Sequence, residues 1–192
     1  MLMMDALFNS LLVVSSSYAM YTLHPFETPY GYAVATLSLV HGLIGVVRSS
    51  HNDGEEDECN RIRLITNGMM EIVPLPLTNI ELYLRSTSPG LALPHLCFVV
   101  PLVYDMVAKM RDTEDHATET LKELTLLGNA VSLLFLGINQ ANRLYGDLAV
   151  IAFLGRYGSS ILDYYWEGLG SDFNLLAHSM YIILMTITLS AK

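Results

Sequence analysis

Five stretches of this chain carry no Asp, Glu, Lys or Arg, and they constrain the fold more than any other feature. They cover 6–26, 28–47, 86–104, 124–142 and 173–191, each 19 to 21 residues long. About 20 residues of helix cross the hydrocarbon core of a bilayer. One such run could be a core helix. Five of them in 192 residues point to an all-α, polytopic transmembrane helical bundle, with a soluble helical bundle as the alternative. Composition agrees, with 52% hydrophobic and only 15% charged residues, where soluble domains carry about one quarter charged. The length suits a single helical membrane domain over 1–192.

A sixth stretch, 147–168, is long enough to span but holds Arg156 near its middle. Wound at about 100° per residue, it aligns Ala149, Ala152, Arg156, Ser160, Asp163 and Glu167 on one face. An arginine in hydrocarbon needs a partner or a wet cavity, so this face is expected to point inward. Arg156 and Asp163, about 10.5 Å of rise apart, can lean together through Ser160. Tyr164, Tyr165 and Trp166 at the end resemble an interfacial aromatic belt.

The other spans carry polar stripes too. In the second, Gly31, Ala35, Ser38, Gly42 and Gly45 form a small-residue stripe that lets a neighbour approach closely. His41 borders that stripe, as a packing histidine or a proton or ligand site. The 86–106 stretch has three prolines and should kink; it offers His95 and Asp105. The 124–142 run sets Thr125, Asn129, Ser132 and Gln140 on one side, and the last run holds His178. The candidate polar interior is therefore Arg156, Asp163, Ser160, His41, Asp105, His95, Asn129, Gln140 and His178.

The 64–84 segment is ambiguous. It is apolar but carries Asn67, Glu71, Asn79 and Glu81, and Pro74 and Pro76 interrupt any helix. An interfacial or re-entrant piece is expected there, giving six spans; a full crossing gives seven. Basic residues split six against three between the two faces in both arrangements, so charge bias does not choose. Both put the N-terminus and the Arg48–Arg63 region on the cytoplasmic side; they differ in the side of the C-terminus. The first run lacks a basic n-region and reads as an uncleaved span, with a signal peptide as the alternative.

Much of the net charge of −9 sits in acidic polar loops expected over 48–63 and 109–123. Such loops argue against nucleic acid as a partner and against tight binding to anionic surfaces. The expected partners are the lipid bilayer and other membrane proteins, in an endomembrane or plasma membrane. Six scattered histidines give no metal motif, two cysteines give no disulfide framework, and no cofactor is implied. Serine-nucleophile and phosphate-loop motifs are absent, which leans away from an enzyme, although separate helices could still assemble a site. The expected role is a non-enzymatic accessory, assembly or trafficking component. The alternatives are a small-solute or proton-coupled transporter or channel, and a lipid-modifying membrane enzyme.

Overall fold

The computed structural model describes residues 2–50, 58–110 and 116–191. Among them the chain is all-helical. The elements are α1 (Leu2–Thr22), α2 (Pro29–Ser50), α3 (Glu58–Ile72) and α4 (Pro74–Leu84). A 3₁₀ stretch (Pro89–Phe98) then runs into α5 (Val99–Met110), followed by α6 (His116–Asn139) and α7 (Arg143–Phe153). A π turn (Leu154–Gly158) joins α7 to α8 (Ser159–Tyr165), and α9 (Leu169–Ser190) ends the chain. The acidic loops expected over 48–63 and 109–123 are shortened, because residues 48–50, 58–63, 109–110 and 116–123 are helical. Glu, Lys and Arg are good helix formers and carry the helices past the apolar runs. The remainder, 51–57 and 111–115, lies outside the described residues.

Among the described residues, four stretches are long and apolar enough to cross a membrane: Pro29–Ser49, Pro89–Met110, Glu119–Asn139 and Leu169–Ser190. They coincide with four of the five charge-free runs. The fifth run forms α1, a helix of 21 residues that includes Asp5, Asn9 and a run of three serines. The α2, α6 and α9 helices turn large apolar side chains outward at helical spacing. Val40, Leu43 and Val47 on α2, Val131, Phe135 and Ile138 on α6, and Met180, Ile183 and Ile187 on α9 are all exposed.

Cross-helix contacts fix the directions. Gly45 faces Asn9, and Gly31 faces Leu23, so α1 and α2 are antiparallel. His41 meets Thr66, and the Tyr30 amide meets Glu81, so α2 runs against α3 and α4. His95 bonds Ser132 while Asp105 pairs with Lys122, so the 3₁₀–α5 rod opposes α6. Arg156 reaches back to Glu119, and Gly170 lies against Asp163, so the α7–α8 rod opposes both α6 and α9. The rods α1, α2, α3–α4, 3₁₀–α5, α6, α7–α8 and α9 thus alternate in direction along the chain.

The α3–α4 rod, expected as an interfacial or re-entrant piece, packs among the other helices, and nine of the eleven residues of α4 are buried. Its prolines divide the rod at Val73 without ending it. Pro74 sits at the first position of α4, where no intrahelical N–H is needed. The carbonyl that loses a donor is Met70 O, and His178 Nε2 on α9 lies 3.1 Å from it. At the far end Glu81, buried, accepts from Tyr30 N at 2.9 Å and so caps α2. Arg85 ties Glu81 to the Leu189 and Glu27 carbonyls, at 2.8 and 2.9 Å.

The turn between α6 and α7 has the paired bonds of a Schellman cap, Asn142 N to Gly137 O at 2.9 Å and Ala141 N to Ile138 O at 3.2 Å. The left-handed position in that motif is usually glycine, and here it is Ala141 at φ 50°. Ala141→Gly is therefore expected to raise unfolding stability by about 1 kcal/mol. A melting curve in detergent checks this, and an unchanged or lowered midpoint contradicts it.

Candidate functional site

Polar side chains gather in three places. The first is an ion-pair network near the N-terminal ends of α6 and α9. Arg156, in the π turn, donates from Nε to Glu123 Oε1 at 3.0 Å and from Nη2 to Glu119 Oε2 at 3.0 Å. Its Nη1 lies 3.7 Å from Glu71 Oε1 on α3. Lys122, buried, pairs with Glu71 at 3.1 Å and Asp105 at 3.3 Å, and also with Glu119. Lys109 holds the other Asp105 oxygen at 2.9 Å. Tyr157 donates to Glu123 through a short bond. Three cations and four carboxylates from the α3, α5, α6 and α7–α8 rods are thus ion-paired with one another.

The expected partner of Arg156 was Asp163, reached on one straight face through Ser160. That contact does not form. The π turn inserts one extra residue into the helix, about 100° of rotation, yet Ser160 and Asp163 still line the same cavity as Arg156; it is their partners that differ. Ser160 is exposed and bonds the Arg156 carbonyl rather than its guanidinium. Asp163 is also exposed; its Oδ1 accepts from Gly170 N at 2.8 Å and caps α9. Glu119, Lys122 and Glu123 were not among the candidates because they precede the charge-free run. Their i, i+3, i+4 spacing was the available signal that α6 starts earlier.

The second place is a chamber of about 230 Å³ among α2, α3, α7–α8 and α9. It brings together five of the candidates, His41, Arg156, Ser160, Asp163 and His178, with Arg63, Asn67 and Asn174. His41 Nδ1 is 2.9 Å from Thr66 Oγ1. An apolar slot of about 40 Å³ continues inward past Leu126, Ala177 and Tyr181.

The third is a cleft of about 560 Å³ on the side of the bundle, between the 3₁₀ stretch and α6. His95 and Asn129 meet there, joined by Ser132, Tyr83 and Asn79. Asn129 Nδ2 donates to Thr125 O at 2.8 Å, which leaves Oδ1 as the acceptor. That oxygen takes Asn79 Nδ2 at 3.1 Å and His95 Nδ1 at 2.7 Å. His95 therefore carries its hydrogen on Nδ1, and its Nε2 lone pair faces Ser132 Oγ at 3.2 Å. Tyr83 stacks on the His95 ring at 5.1 Å between centroids and places Oη 2.9 Å from Ser132 Oγ.

Gln140 joins none of these. Its backbone closes the last turn of α6, at the opposite end from the chamber. Among the described residues no group of three or more His, Cys, Asp or Glu is placed to hold a metal ion.

Removing Arg156 would leave Glu71, Glu119 and Glu123 facing one another with less compensation. Arg156→Ala is expected to lower unfolding stability by about 2 kcal/mol. Arg156→Lys should recover only part of that, since one ammonium replaces a two-sided fork. Melting curves of both variants in detergent check the order.

The sequence matches a family model described as a domain of unknown function, DUF4791, over residues 25–189. That is most of the chain, and the chain belongs to this family. No curated protein matches, and neither does any solved structure.

Proposed function

We propose that this DUF4791 protein is a multi-pass integral membrane protein that crosses the bilayer seven times and binds a ligand rather than conducting one. The seven alternating rods support the crossing number, and the outward apolar stripes support lipid as the surrounding phase. Within this reading the α3–α4 rod is a crossing. It runs through 15 and 11 residues of helix on either side of Val73, about 40 Å at 1.5 Å per residue. An odd number of crossings sets the two termini on opposite faces. Arg48, Arg61, Arg63, Lys109, Arg111 and Lys122 then share the N-terminal face, against Arg85, Arg143 and Lys192. The positive-inside rule makes the former cytoplasmic.

One observation carries the binding role: the chamber brings together His41, Arg156, Ser160, Asp163 and His178, five of the nine candidate polar residues, from separate rods. A channel needs a continuous polar route, and here the slot beside the chamber has a mainly apolar lining. An accessory role, in which a small polar solute or a polar group of another membrane component seats in the chamber, fits such a site. A second reading, a membrane enzyme acting on a lipid, is favoured by the lateral cleft. It opens among exposed apolar residues and has a histidine and a serine hydroxyl in its wall.

Tags at the two ends are expected to be protected from protease on opposite sides of sealed vesicles. Two tags protected together exclude seven crossings and restore six.

A further inference from the structure

We infer that Ser132, His95 and Asn129 form a serine-nucleophile site for an ester-bearing lipid, which rests on the second reading, that the lateral cleft faces lipid. Three side chains from two rods stand in the order that nucleophilic catalysis requires. Ser132 Oγ is 3.2 Å from His95 Nε2, and His95 Nδ1 is 2.7 Å from Asn129 Oδ1. A nucleophile, a base and a group that fixes the tautomer of the base are what activation of a serine needs, whatever the fold and chain order. The tautomer follows from the bonds around Asn129, since its amide nitrogen is committed to the Thr125 carbonyl. Asn79 adds a second bond to the same oxygen at 3.1 Å and holds the amide in place. Packing alone would satisfy these groups equally well deep in the bundle. Here they line an open cleft of about 560 Å³ whose other walls include Leu91, Pro94, Val131 and Phe135. Gly128 sits in that wall with nothing within 4 Å of where its side chain would be. The space suits acyl chain.

The reaction is ester hydrolysis. Ser132 Oγ bonds to the ester carbonyl carbon while its proton passes to His95 Nε2. Tyr83 Oη, 2.9 Å from Ser132 Oγ, can turn its O–H from the Ser132 carbonyl toward the oxygen that gains charge. The carbon–oxygen bond to the leaving alcohol breaks, and that alcohol takes the proton from Nε2. Water then attacks the acyl-serine, gives a proton to Nε2, and the carbon–Oγ bond breaks as the proton returns to Ser132. The net change consumes one ester and one water and yields one acid and one alcohol. Asn129 is a positioning residue, acting through His95.

The full chain, folded in detergent as judged by a cooperative melt, is treated with an alkyl fluorophosphonate, which bonds only to activated serines. Labelling is expected at Ser132 by peptide mapping. It is expected to vanish in Ser132→Ala and to slow about 100-fold in His95→Ala. Gly128→Leu, which adds bulk to the cleft wall from a position whose Cβ meets nothing within 4 Å, should block labelling while the melt is retained. Asn129→Ala should slow labelling, and Asn129→Asp should restore it. A folded wild-type protein that stays unlabelled, or a label that survives Ser132→Ala, overturns the inference. A phospholipid with a diazirine in its acyl chain separates the two levels. Crosslinks to 124–135 without fluorophosphonate labelling leave a lipid-facing cleft and no catalyst, whereas neither signal removes the second reading as well.

Discussion

The α4 half of the central rod has almost no free face. Because α4 is surrounded by other helices, each polar group it carries must be met by a neighbour, and each such bond fixes where that neighbour sits. Met70 O, deprived of a donor by Pro74, takes His178 on α9. Thr78 lies against Met185 about two helical turns further along the same helix pair. Asn79 and Tyr83 hold α6 through Asn129 and Ser132, and Glu81 holds the start of α2. A register slip of either partner would strand several buried groups at once, each costing about 1–3 kcal/mol. The proline pair, which looks like a defect, creates one of these obligations and so helps to define the packing.

The ion-pair network does related work at one end. Moving separate charges out of water is costly, and mutual attraction offsets the cost only where the geometry is good and the remaining lone pairs are met. Here Glu71 is shared by Lys122, Arg156 and Asn67. Glu119, with its side chain 53% exposed, lets one edge of the network stay wet. The network is thus less a deep charge cluster than a lid of paired groups over the chamber.

Much of the fold was legible in the sequence because the absence of charge over 20 residues is a long, redundant signal. The four long apolar helices fall where the charge-free runs lie, and the small stripe of α2 lies where α1 approaches Gly42 and Gly45. The polar interior was less legible, because contacts across helices leave no trace in periodicity. Pro74 and Pro76 made 64–84 look like a surface piece, since a proline reads as a break; its placement at the first turn of a helix was not visible. Arg156 was found, but its partners were misassigned. Helical counting assumes 3.6 residues per turn, and the π turn violates that at the very residue being counted. Ser132 could be seen in a polar stripe, yet its relation to His95 depends on two separate rods meeting.

That π turn has a consequence for how this family can vary. A single π turn in an otherwise α-helical rod amounts to one residue more than the regular repeat would hold. A relative lacking one residue between 154 and 158 could keep the same rod as plain α-helix, with α7 and α8 in phase. Its arginine would then face a different quarter of the bundle, and the carboxylates on α6 would need another cation. The orientation of this guanidinium is in that sense a property of chain length, not of composition, and substitution alone would not reproduce the change.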